Sequence, residues 1–190
     1  MQATEIQLAR QPTQDAAVVG GAILAAAEQQ QYLTFLLGDE MFAIGILAIR
    51  EIIEYGCVTE VPTTPPFLRG VINLRGAVVP VVDLAVRFGR AARNNTKRTR
   101  IVIVDIESAK GRQEMGVVVD AVSEVLEIPN RDIEPTPEFG ARIRSDFITG
   151  MGKINGKFVI LLDVNRVLLV DEVAVTASLG HLDAPAAAAV

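Results

Sequence analysis

The sequence predicts an all-β fold: two small five-stranded β-barrel subdomains related by internal duplication, with short helices and a C-terminal helix. Three observations predict it. From Tyr32 onward, apolar runs rich in Val and Ile alternate with Gly, Pro, Asn and Asp, and each run has the length of a strand rather than a helix. The chain then repeats itself. Gly70 to Phe88 returns as Gly150 to Leu168, with Gly76 matching Gly156, Val79 matching Val159 and Asp83 matching Asp163, each pair 80 positions apart. Finally, each copy holds about 60 residues, enough for a small barrel whose closure leaves no exposed sheet edge.

Taken in order, residues 1–31 read as a flexible extension. The apolar run Ala16 to Ala27 is preceded by Glu5, Arg10 and Asp15. That flank is wrong for a secretory signal, and 12 residues are too few to span a bilayer. The strand-length runs are Tyr32–Leu37, Met41–Ile46, Val71–Leu74, Ala77–Val82, Ile101–Ile106, Met115–Val119 and Phe158–Leu162. Leu37-Gly38-Asp39-Glu40-Met41 reads as a hairpin turn. Pro80 lacks a backbone N–H, which predicts an edge or a bulge there. Ala48 to Ile53 echoes Ala121 to Leu126, which extends the repeat. Asp83 and Asp163 each precede a short apolar–polar run and read as helix N-caps. The first subdomain is expected over residues 32–88, a polar linker with a helical start over 89–100, and the second subdomain over 101–170. A terminal helix and loose tail are expected over 171–190.

Composition narrows the function. The 190 residues are half apolar, contain no Trp and carry a net charge of −5, which argues against nucleic acid as the main partner. One cysteine, Cys57, precludes an internal disulfide and fits a reducing compartment. Catalytic groups are scarce. The single histidine, His181, lies in the C-terminal tail with no positioned nucleophile beside it. Cys57 has no basic neighbour in sequence to lower its pKa. No Cys-x-x-Cys or His cluster suggests a metal, and no cofactor is expected. Gly150 to Lys157 resembles a phosphate loop, but its first glycine is one residue early and Phe158 stands where Ser or Thr is needed. It reads as a hairpin turn, like Gly70 to Gly76. Glu51 and Glu54 could share a face, where a solvated rim or a protein contact outweighs acid–base work. The run Arg87, Arg90, Arg93, Lys97, Arg98 and Arg100 has no acid within it. Lacking interleaved aromatics, it reads as a solvated linker or a contact for an acidic protein surface.

The most specific segment is Val61 to Leu84, with Phe67-Leu68-Arg69-Gly70-Val71-Ile72-Asn73-Leu74-Arg75-Gly76 at its centre. It resembles the signature of the CheW family of chemotaxis coupling proteins. Further matches are Gly38-Asp39-Glu40, Ile49-Arg50-Glu51-Ile52, Gly116 to Val122 and Ile148 to Gly152. The resemblance spans about Tyr32 to Leu169, and the Ala/Gln-rich extension before it is a departure. It implies two SH3-like five-stranded barrels around separate cores with a groove between them. It implies a non-catalytic cytoplasmic adaptor at receptor arrays on the inner face of the membrane, without membrane insertion. Its partners would be the cytoplasmic tip of methyl-accepting chemoreceptors and the regulatory domain of the histidine kinase CheA. Coupling in a non-flagellar pathway, such as pilus motility, is the alternative. Carried over residue by residue, receptor binding falls to Ile49, Glu51, Gly70, Asn73 and Arg75. Arg75 offers a guanidinium fork at a hairpin tip, Asn73 a side chain that bonds turn backbone, Gly70 room for close backbone approach and Ile49 an apolar anchor. No kinase-contact residues are assigned.

Overall fold

The computed structural model describes residues 29–56, 58–108, 111–136, 143–154 and 156–169. The expected C-terminal helix over 171–190, Cys57 and His181 lie outside them. The strands are β1 (Gln29–Leu37), β2 (Glu40–Gly45), β3 (Ile49–Glu54), β4 (Leu68–Leu74), β5 (Ala77–Asp83), β6 (Arg100–Ser108), β7 (Gly111–Val119), β8 (Ala121–Pro129), β9 (Ile133–Glu134), β10 (Ile148–Ile154) and β11 (Lys157–Leu162). Two short helices, α1 (Leu84–Arg87) and α2 (Val164–Leu169), follow β5 and β11. All seven predicted runs lie in strands, except that Ile46 opens a 3-10 turn, Ile46–Ala48. The last three residues of the expected extension over 1–31 are strand. Gln29 to Gln31 already belong to β1 and pair with Pro129 to Glu127.

The strands form a six-stranded sheet, ordered β8-β1-β2-β11-β10-β9, and a five-stranded sheet, ordered β3-β6-β7-β5-β4. Neither sheet follows the expected boundary at residues 89–100. The opening hairpin of the first copy, β1–β2, sits with the last strands of the second. The opening hairpin of the second copy, β6–β7, sits with β3, β4 and β5 of the first. Parallel seams join them: β2 to β11 through Phe42↔Ile160, and β5 to β7 through Val81↔Gly116. Each sheet curls on itself. β8 and β9 stand at opposite ends of the strand order, yet only the three residues Asn130–Asp132 join them.

The expected separate cores are present as a small apolar cluster within each sheet, and a third and larger cluster is shared between the sheets. It holds Phe35 and Phe42 from one sheet, Val102, Val104 and Val117 from the other, and Phe88 and Phe147 from connecting segments. Rings of Phe35, Phe42, Phe88 and Phe147 run in series with centroids 6.1, 5.8 and 6.2 Å apart, close enough for favourable ring–ring geometry. Smaller clusters sit within each sheet, around Val79, Ile101 and Ile103 and around Tyr32, Ile128 and Leu161. β6 therefore buries Val102, Val104 and Ile106 on one face and Ile101 and Ile103 on the other. Burial on both faces explains why Ile101 to Val104 form an unbroken apolar run without alternation.

Local chemistry fixes the joints. Asp83 Oδ1 accepts from the Val86 amide at 3.2 Å, and Asp163 Oδ1 from the Arg166 amide at 3.1 Å, so both expected N-caps are present. Thr34, fully buried, sits at a bulge of β1; its hydroxyl donates to the Glu124 carbonyl at 2.7 Å and accepts from the Glu124 amide at 3.2 Å. Burial pushes the Tyr32 phenol above its usual pKa, and its hydroxyl donates to Gln30 Oε1 at 2.8 Å. Pro80 faces an unpaired stretch, as expected, although its strand is not at the end of the sheet. It lies in β5, an interior strand between β7 and β4. The two-residue hairpin makes Leu74↔Ala77 a bonded pair, so by alternation Val71↔Pro80 is a non-bonded one. The proline nitrogen faces β7, whose pairing starts only at Val81, and no ladder bond is lost.

Candidate functional site

The candidate residues gather around the β4–β5 hairpin and the neighbouring stretch of β3. The hairpin turns through Arg75 and Gly76, both left-handed, at φ 55° and 90°. Two successive positive φ angles make the tight turn whose twist matches antiparallel strands. Gly76 takes that conformation freely. Arg75 does not, and the cap beneath it holds the turn: Asn73 Oδ1 accepts from the Gly76 amide at 2.9 Å. The turn bond expected of Asn73 is therefore made, and its exposed amide nitrogen is left toward solvent.

Arg75 reaches across to β3. Its Nη2 lies 2.9 Å from Glu51 Oε1 and 3.0 Å from Oε2. β3 and β4 stand at opposite ends of the strand order, so this ion pair spans the mouth of the curled sheet. The Arg75 side chain remains 80% exposed, so solvent screens the pair and limits it to about 1 kcal/mol or less. Ile49, half-buried, packs against the shared core at the head of β3. Glu54 does not share the face of Glu51; it is exposed and lies 3.8 Å from Arg100.

Gly70 occupies a different environment. It is buried, with φ 140°, and a Cβ there would stand 2.1 Å from the Thr59 carbonyl oxygen. Thr59 and Val71 exchange backbone hydrogen bonds of 2.9 and 2.8 Å. The close backbone approach expected at this glycine is thus made by the chain's own Val58–Thr59 segment. Gly70 shapes the loop behind Asn73 and Arg75 and does not itself present surface.

Sequence reasoning passed over the apolar component of this face. Val78, paired with Asn73 across the hairpin, is 64% exposed, whereas Ile52, 41% exposed, alternates with Glu51 and lies on the other face of β3. The alternation of β3, half-buried at Ile49, Glu51 and Ile53 and exposed at the residues between, is not marked in its sequence Ile-Arg-Glu-Ile-Ile-Glu. The basic run is mostly spent internally. Arg87 donates to the Val167 carbonyl at 2.9 Å and lies over Phe67, Arg90 pairs with Glu40 and bonds the Leu37 carbonyl, Arg93 reaches Asp120 at 3.5 Å, and Arg100 faces Glu54. Gly150 to Lys157 is a hairpin between β10 and β11, closed by Ile154↔Lys157, as its failed phosphate-loop spacing indicates.

Two curled sheets with a shared core, presenting a charged hairpin tip flanked by the exposed Val78, have the make-up of a protein-binding module. The chain belongs to the CheW-like domain family, whose model matches residues 31–172. It is 37% identical over 145 residues to the chemotaxis protein CheW of Klebsiella aerogenes, covering 76% of this chain and 85% of that one. It is 36% identical over 143 residues to the chemotaxis protein CheW of Rhizobium meliloti, covering 75% and 90%. The crystal structure of the scaffolding protein TtCheW from Thermoanaerobacter tengcongensis matches with a TM-score of 0.66 at 36% identity, covering 73% of this chain and 86% of that one.

Proposed function

We propose that this protein is a non-catalytic adaptor that couples chemoreceptors to the histidine kinase CheA in chemotaxis signalling. The observation that carries the reading is the meeting of Glu51, Asn73 and Arg75 at one end of the five-stranded sheet, in a chain 37% identical to a chemotaxis protein CheW. In this reading the receptor's cytoplasmic tip docks on Ile49, Glu51, Asn73 and Arg75, with the exposed Val78 beside Asn73 excluding water. Gly70 contributes by setting the loop. The regulatory domain of the kinase takes a second surface, and the adaptor works in the cytoplasm at receptor arrays. It transmits signal by binding two receptor states unequally, since a ligand shifts an equilibrium only by its differential affinity.

A capture experiment with receptor cytoplasmic fragments tests it. Arg75→Glu sets two carboxylates face to face at the tip and is expected to weaken receptor capture at least about tenfold, as loss of a central charged anchor does. The fold and capture of the kinase stay intact, with stability lowered by about 1 kcal/mol or less. Undiminished receptor capture removes Arg75 from the interface, and a native chain that captures neither receptor nor kinase overturns the adaptor reading itself.

A further inference from the structure

Lys97 and Arg98 are exposed, and their side chains pair with nothing among the described residues. The other members of the basic run are engaged by Glu40, Asp120, Glu54 and the Val167 carbonyl. Lys97 and Arg98 stand on a well-held turn. The Thr96 amide donates to Thr99 Oγ1 at 2.8 Å, the Arg98 amide to Thr96 Oγ1 at 3.1 Å and the Thr99 amide to the Thr96 carbonyl at 3.1 Å. Thr99 is buried, and Arg100 Nη1 donates to the Lys97 carbonyl at 2.8 Å. Neither the Lys97 nor the Arg98 side chain takes part in holding it.

The turn rims a cleft of about 830 Å³, lined also by Leu36, Gly38, Arg93 and Asp120. Arg93 supplies a third cation. Its Nη2 lies only 3.3 Å from where a Cβ at Gly38 would stand, so the bare glycine makes room for the guanidinium. Among the described residues Asp120 is the one acid in the lining, and it is already engaged. Its Oδ2 accepts from the Gly38 amide at 2.7 Å, with Arg93 3.5 Å away. The chain as a whole carries −5, yet this concavity sets three cations against one acid. A cleft dominated by one sign of charge focuses the field and draws in the other sign.

The chemistry of the lining selects the kind of anion. Among the described residues no aromatic ring lines the cleft, so a nucleobase has nothing to stack on. A compact phosphate favours a nest of unbonded backbone amides, and the amides of Thr96, Arg98 and Thr99 are taken within the turn. Cations set around a wide rim suit carboxylates spaced along a chain. Leu36, Ala92 and Ala121 offer apolar contact between them. Because the turn is already fixed, little ordering is required on binding. We propose that this cleft docks an acidic peptide segment of a protein partner, with its carboxylates on Arg93, Lys97 and Arg98. The cleft shares no residue with the Ile49–Arg75 face, so the proposal stands apart from the adaptor reading.

The probe is a short labelled peptide alternating Glu with Ala, titrated into the full chain and followed by fluorescence anisotropy and by backbone amide NMR shifts. Saturable binding is expected, with shifts at residues 92–99, Gly38, Asp120 and Ala121. Affinity is expected to weaken severalfold as salt rises through about 0.15 M, where screening acts over roughly 8 Å. Lys97→Glu with Arg98→Glu is expected to weaken binding at least about tenfold, since each change removes an attraction and adds a repulsion. The urea midpoint should hold, because neither side chain supports the turn. Arg131→Glu with Lys153→Glu alters net charge equally on the other sheet and is expected to stay within about twofold, because distant charge is screened. Absence of saturable binding, shifts confined to other residues, or an equal loss in the two double variants overturns the docking site. Tighter binding of an oligonucleotide of equal charge also overturns it, in favour of nucleic acid. No readout involves a receptor or kinase, so failure here leaves the adaptor reading untouched.

Discussion

The β4–β5 end of one sheet and the β10–β11 end of the other are the same device built twice. Each hairpin has a register shift two residues into its first strand, between Leu68 and Gly70 and between Ile148 and Gly150. Each glycine faces a crossing backbone, the Thr59 carbonyl at Gly70 and the Glu134 carbonyl at Gly150. Each hairpin leads to an aspartate cap, and the Asp83 and Asp163 amides donate to the carbonyls of Phe67 and Phe147 at 2.7 and 2.9 Å. Even the exposed apolar residues correspond: Ile52 and Val78 on one sheet, Val125 and Phe158 on the other. The tips differ. Where the first end has Asn73, Arg75 and Glu51, the second has Lys153, Asn155 and Glu124. Duplication kept the backbone frame, and the two ends diverged in the few side chains that a partner would meet.

The largest effect that would sharpen this comparison is on the frame. Gly70→Ala places a methyl 2.1 Å from backbone at a φ that side chains avoid, so it is expected to cost about 3 kcal/mol or more. Gly150→Ala meets a movable Ile133 methyl at 2.6 Å and the Glu134 carbonyl at 3.0 Å and is expected to cost about 1–3 kcal/mol. Urea denaturation midpoints would show the order, and equal losses would break the claimed difference. Next come the caps. Asp83→Ala removes a buried partner of Arg69, 2.8 Å away, as well as the cap, at an expected cost of about 3 kcal/mol. Asp163→Ala removes a cap and an exposed pair, at about 1 kcal/mol; thermal unfolding distinguishes them.

Smaller effects concern the tips. Lys153→Glu, the counterpart of Asn73 at the second end, is expected to leave receptor capture within about twofold, because charge distant from an interface acts weakly through screened solvent. A loss matching that of Arg75→Glu would place the receptor on both ends. Smallest of all, Glu51→Gln is expected to change stability by less than about 1 kcal/mol while lowering receptor capture, measured by urea titration beside the capture assay. A stability loss of several kcal/mol would make the Glu51–Arg75 pair structural.

Much of this was legible in the sequence. Strand-length runs, the 80-residue offset and the two aspartate caps are local or periodic signals, and they appear where they were read. Asn73 and Arg75 were legible as turn chemistry. The exchange of β1–β2 and β6–β7 was not, because pairing between strands far apart in sequence leaves no periodic mark, and both alternatives bury the same apolar faces. The same limit hid the Glu51–Arg75 contact, made only when the sheet curls, and the burial of Gly70, whose neighbour Thr59 is brought in by a long connection. Pro80 was legible as well: its missing N–H concerns one rung, and it falls where pairing with β7 has not begun.

The traded hairpins have a genealogical consequence. A lone ancestral unit carrying one set of five strands could complete its sheets only by lending its first hairpin to a twin and borrowing the twin's in return, as swapped dimers do. Tandem fusion would have made that loan permanent. Cut within residues 89–100 and produced as two polypeptides, the halves should each be incomplete alone and should reassemble on mixing.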